Sequence, residues 1–65
     1  MKAIYSFVDE DGAKTHIVVT KIRRVSLVLG SLVIEFDNGD KETFDVENAP
    51  NVLNDIIHSI EEFYK

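Results

Sequence analysis

The sequence predicts an α+β fold: an antiparallel meander of four to five β-strands, about 2–8, 13–20, 24–29, 32–37 and 41–46, with one C-terminal amphipathic helix, about 49–64, packed on one face. Three observations carry that prediction. Apolar and polar residues alternate with period two around two acidic, glycine-bearing turns, as half-buried strands require. The last third of the chain switches to period 3.6, the repeat of a helix face. A length of 65 residues, 45% hydrophobic and 29% charged, fits a single domain, 1–65, whose apolar content is ordinary and shows no compositional sign of disorder.

The first turn is Asp9-Glu10-Asp11-Gly12. Glycine reaches positive φ without a Cβ penalty, so Gly12 closes a three-residue loop, Glu10-Asp11-Gly12. That loop pairs Tyr5 with Ile17 and Phe7 with Thr15. It places Ala3, Tyr5, Phe7, Ile17 and Val19 on one face, and Ile4, Ser6, Val8, Lys14, His16 and Val18 on the other. The second turn is Asp37-Asn38-Gly39. Asn-Gly favours a two-residue type I′ hairpin, but that register would set Ile34 against Thr43 and Phe36 against Lys41, apolar face against polar face. A three-residue loop with Gly39 at positive φ instead pairs Leu32 with Phe44 and Ile34 with Glu42. On the opposite face it sets Val33 beside Thr43 and Glu35 beside Lys41, an opposite-charge pair worth roughly 0.2–1 kcal/mol.

Residues 20–24, Thr-Lys-Ile-Arg-Arg, contain neither Gly nor Pro. Ile22 and Val25 stand three apart where a strand needs two, which predicts a break in the pairing here. Gly30-Ser31 allows the reversal into the next strand. In the helix, Val52, Leu53, Ile56, Ile57, Ile60, Phe63 and Tyr64 form the apolar face. Asn48 or Asn51 is placed to cap it, Pro50 fits only its first turn, and Glu61 stands four residues before Lys65 in the favourable order. One helix covers one side of a sheet. Val8, Val18, Val28 and Val33 are expected on the side left open.

The segment from about 20 to 63 carries a Leu-Val-Ile-Glu-Phe strand, an Asp-Asn-Gly turn, a Phe-Asp-Val strand and an amphipathic helix. In that order they resemble the second half of small bacterial PH-like sheets. A complete PH domain has more strands than this chain supplies. The resemblance implies an interaction scaffold and carries over no site residue.

Composition narrows the functions. A folded chain of about 60 residues buries only about 60% of the surface its unfolded form exposes, so the core is thin. With no cysteine, no disulfide framework or cysteine metal site supplements it. No apolar run approaches the roughly 20 residues of a membrane helix. The N-terminus starts like a signal peptide, but Ser6 and the acidic turn at Asp9 interrupt it. The expectation is a cytoplasmic protein of bacterial or phage type.

Candidate chemistry is sparse. The turn at Asp9 fails the EF-hand spacing, because its glycine stands fourth and the twelfth position is Thr20. His16 and His58 are the only imidazoles, and no His-x-x-His or Cys pair joins them, so no metal site and no cofactor are expected. There is no Gly-x-Ser-x-Gly elbow, Ser6, Ser26, Ser31 and Ser59 lack suggestive sequence neighbours, and the chain is expected to be too small for a ligand-sized cavity; an enzyme is not expected. Lys21, Arg23 and Arg24 form the one basic cluster on a chain of formal charge -5, a poor track for nucleic acid. The expected function is a small non-catalytic protein–protein interaction module. It would self-associate, a homodimer for instance, or dock on a larger protein, through the open sheet face or an edge strand. Val8, Val18, Val28 and Val33 would form the contact and Lys21, Arg23 and Arg24 its rim. The alternative is a small acidic inhibitor that mimics nucleic acid in a basic groove. Neither expectation includes nucleic-acid or membrane binding.

Overall fold

The computed structural model describes residues 3–65. Five antiparallel strands and one helix follow in the order β1 (Ile4–Val8), β2 (Lys14–Val18), a single 3-10 turn (Val19–Lys21), β3 (Ile22–Val28), β4 (Ser31–Phe36), β5 (Lys41–Phe44) and α1 (Ala49–Phe63). The fold is α+β as expected. The strands do not form one continuous meander, however. They divide into a two-stranded sheet, β1-β2, and a three-stranded sheet, β3-β4-β5. The expected strand 13–20 ends at Val18 because the chain turns at Val19–Lys21. The turn buries Val19 almost completely, and its side of the chain packs on α1. The third strand accordingly begins at Ile22 rather than 24. The last strand ends at Phe44, and Val46 then drops into the core. Lys2, the expected start of the first strand, lies outside the described residues.

Both three-residue loops form with the expected registers. In the first hairpin Tyr5 pairs with Ile17 and Phe7 with Thr15. The Asp9 amide donates to the Ala13 carbonyl at 3.1 Å, and Gly12 takes φ +85°. The Asp9 carboxylate accepts the Asp11 and Ala13 amides at 3.0 and 2.9 Å, an Asx-type brace for the turn. In the second, Leu32 pairs with Phe44 and Ile34 with Glu42, the Phe36 amide donates to the Asp40 carbonyl at 2.8 Å, and Gly39 takes φ +93°. The break near residue 22 is a β-bulge. Ile22 pairs with Phe36 and Arg24 with Glu35, which leaves Arg23 as the extra residue. An extra residue restores the phase, so Ile22 and Val25 both face inward despite their spacing of three.

The core joins the inner faces of both sheets to the helix. Leu32 and Ile34 from β4 and Ile56 from α1 are fully buried, with Phe7, Ile17, Val46 and Ala49 around them. Phe7 of β1 meets Phe44 of β5 edge to face, with centroids 5.2 Å apart. The Glu10 amide donates to the Asp45 carbonyl at 2.9 Å, so the first turn is fastened to the end of β5. The helix starts after Asn48, but the expected side-chain cap is missing. Asn48 sits at φ +59°, and its carbonyl rather than its side chain accepts from the Asn51 and Val52 amides. Pro50 lies in the first turn, where no amide is needed. Ile57 and Tyr64, expected on the buried face, are 38% and 66% exposed. They flank a buried stripe centred on Ile56.

Candidate interaction surface

The four valines expected to form one patch are divided between the two sheets. Val8 and Val18 lie on the outer face of β1-β2, but at its opposite ends, where Val8 faces Lys14 and Val18 faces Ile4. Ile4 and Val18 form an exposed apolar cross-strand pair. Between the two ends stands the polar pair Ser6–His16. Val28 and Val33 belong to the outer face of β3-β4-β5 and meet in a shallow groove with Arg24, Ser26, Glu35 and Lys41. Val33 is only half-exposed. Serine and charged side chains surround these two valines, so that face offers an amphipathic groove rather than an apolar plane.

The basic cluster is also divided. The bulge projects Arg23 and Arg24 so that both approach Glu35, at 3.6 and 4.0 Å. The expected Glu35–Lys41 neighbours do pair in register, yet the ion pairs of Glu35 go to the two arginines. Both arginines are largely solvent-exposed, and pairs of that kind contribute about 0.2–1 kcal/mol. Lys21 makes no ion pair among the described residues. It lines an open concavity of about 440 Å³ with Phe36, Asp37 and Asn38. A second, of about 420 Å³, opens beside His58, Glu61, Glu62 and Lys65 on the helix. The chain therefore has more concave surface than its length suggested. At the helix end, Lys65 bonds Glu62 at 3.5 Å, one residue closer than the expected Glu61 partner.

Two polar contacts were not anticipated. The Ser6 hydroxyl and His16 Nδ1 lie 2.6 Å apart, a hydrogen bond whose direction follows the imidazole tautomer. Serine beside histidine is two-thirds of a nucleophilic triad. Among the described residues no carboxylate bonds His16, and the pair stands on an open strand face. The Tyr5 hydroxyl donates to Asp55 at 3.2 Å and ties β1 to α1. Burial raises the Tyr5 pKa above its ordinary value, and the charge and hydrogen bond of Asp55 raise it further. Among the described residues no group of three or more metal-ligating side chains converges, and no helix is long and apolar enough to cross a membrane.

Leu29, expected as the last residue of strand 24–29 before a Gly30-Ser31 reversal, lies instead in the turn itself. Val28 pairs with Ser31 across a two-residue turn whose central residues, Leu29 and Gly30, both have positive φ, +51° and +84°. That is the signature of a type I′ turn, where asparagine or glycine is the usual first residue. Here it is a leucine, 102% exposed, next to Val28 at 51%. Positive φ costs an ordinary L-residue roughly 1–2 kcal/mol, and an apolar side chain held fully in water recovers none of it. The signal was present in the sequence as Leu-Gly between a strand and its return. No protein-family model, curated protein or solved structure matches the chain.

Proposed function

We propose that this protein is a small non-catalytic protein–protein interaction module whose contact surface centres on the β3-β4 hairpin tip, Val28 and Leu29. The supporting observation is Leu29 itself: a bulky apolar side chain at a strained backbone position with no intramolecular contact to justify it. Strained backbone positions cluster at functional sites, which makes this one a candidate contact. A protruding leucine beside an exposed valine is an exposed apolar point that an aliphatic pocket on another protein surface would cover. The occupant is either a second copy or a larger protein. Lys21, Arg23 and Arg24, expected at the rim, lie toward the other end of the β3-β4 hairpin, and Val8, Val18 and Val33 lie outside the anchor.

Val28→Glu tests the reading. Val28 is half-exposed on the outer face, so the variant retains the circular dichroism spectrum of the wild type while losing association. Unchanged binding to whatever the wild-type chain captures from its source cells, or unchanged self-association, would show that the tip is not the contact. The acidic-inhibitor alternative separates by salt. Charge-led binding weakens steeply between about 50 and 200 mM salt, whereas contact through Val28 and Leu29 changes little.

A further inference from the structure

Resting on that reading, we infer that the occupant is a second copy of this chain, docked head to tail: the Leu29 tip of one protomer enters the concavity lined by Lys21, Phe36, Asp37 and Asn38 on the next. Knob and socket lie at opposite ends of the same hairpin. Leu29 caps one end of β3-β4, and at the other end Ile22 pairs with Phe36 while the Asp37 amide donates to the Lys21 carbonyl at 2.8 Å. Strand rise is about 3.3 Å per residue, so the seven residues of β3 separate the two by roughly 20 Å. The socket has an aromatic wall in Phe36 and is open to solvent, suited to a single leucine side chain.

Charge favours this pairing over tip against tip. At the knob end, Ser31 Oγ donates to Asp45 at 2.7 Å, and the Glu10 amide fastens the acidic turn to the Asp45 carbonyl. Asp9, Glu10, Asp11 and Asp45 therefore gather there, with Lys14 as the nearby cation paired in register to Val8. At the socket end, Lys21, Arg23, Arg24 and Lys41 balance Glu35, Asp37, Asp40 and Glu42. Two knob ends repel, whereas the balanced socket end does not oppose an acidic knob end and offers it Lys21, which makes no ion pair among the described residues. Because the two patches differ, the contact is heterologous. It propagates into a filament or closes into a ring, and does not stop at a symmetric dimer.

The experiment is light scattering across a hundredfold range of protein concentration, with two variants and their mixture. Leu29→Asn removes the knob at a turn position that asparagine accepts readily. Lys21→Glu reverses the socket charge at an exposed site. The wild-type mass should climb with concentration past that of a dimer. Each variant alone should stay near the 7.4 kDa of one chain, its association weakened at least tenfold. The equimolar mixture should form a discrete species of about twice that mass, since each variant retains the patch the other lacks. A wild-type chain that stays monomeric, a Leu29→Asn variant that associates like wild type, or a mixture that fails to pair would overturn the inference. If the wild type is monomeric yet captures another protein in a Val28-dependent way, only the head-to-tail inference falls. If capture is also absent or independent of Val28, the interaction reading falls with it.

Discussion

Replacing Leu29 with asparagine should make the monomer more stable while it removes the proposed contact, and these opposite signs test the reasoning sharply. Leu29 occupies φ +51° with its side chain wholly in water, so the substitution removes no buried area. What changes is the backbone penalty. For an ordinary L-residue that penalty is roughly 1–2 kcal/mol, and asparagine tolerates the same region several-fold more readily. The expected gain is about 1 kcal/mol. A chain of this size has about 3–10 kcal/mol of total stability at about 0.05–0.15 kcal/mol per residue, and a gain of 1 kcal/mol raises Tm by about 4–8 °C in a domain of 60–100 residues. Urea and thermal unfolding followed by circular dichroism, at a concentration low enough to keep the wild type monomeric, would measure it. Equal or lower stability in the variant would mean that the turn does not strain Leu29, and the argument that a leucine is kept there for an outside partner would lose its basis.

Other perturbations probe the rest of the fold. Ile56→Ala should cost about 2–5 kcal/mol, as for other fully buried aliphatic side chains, enough to leave a large unfolded fraction at room temperature; a loss under 1 kcal/mol by urea titration would place Ile56 outside the core. Gly39→Ala meets no atom within 4 Å at its new Cβ but sits at φ +93°, so the expected loss of about 1–2 kcal/mol is purely conformational. Tyr5→Phe tests the tie to Asp55. The folded pKa of Tyr5 lies above the unfolded value of 10.0, so its contribution is intact below pH 10 and is lost as pH rises through the folded value. The wild type should therefore show an alkaline loss of stability that the phenylalanine variant lacks, and superimposable alkaline unfolding profiles would refute it.

Much of this fold was legible in the chain because the decisive signals are local. Gly12 and Gly39 each close a three-residue loop, and the period-two pattern on either side admits only one register. The Arg23 bulge was visible as a phase error between Ile22 and Val25. The division into two sheets was not. The 3-10 turn at Val19–Lys21 contains no Gly or Pro, and it forms because burying Val19 against the helix outweighs continuing the ladder, a tertiary effect that no window of sequence displays. The surface was harder still. Four outward valines look like one patch when strands are drawn flat, but Val8 and Val18 occupy opposite ends of one sheet while Val28 and Val33 sit on another. The Ser6–His16 contact follows from the Tyr5–Ile17 register and could have been read from it. Glu35 turned to Arg23 and Arg24 because the bulge brings both guanidinium groups across the strand. Leu29 reads as a strand end because Asn-Gly, rather than Leu-Gly, is the familiar mark of its turn.

The bulge also bears on solubility. β3 is an outer strand of its sheet, and a flat row of free amides and carbonyls along it would template lateral stacking of chains into fibrils. The extra residue at Arg23 bends that row, and the paired guanidinium groups place charge beside it. The opposite margin, β5, is only four residues long and carries Lys41 and Glu42. Both flanks of the three-stranded sheet are thus poor nuclei for amyloid-like growth, so a thin-cored protein that breathes open can close again without being trapped in an aggregate. Deleting Arg23 would leave Ile22 and Val25 two apart, still in phase with the core opposite Phe36 and Ile34, so the straightened β3 should fold yet form fibrils more readily.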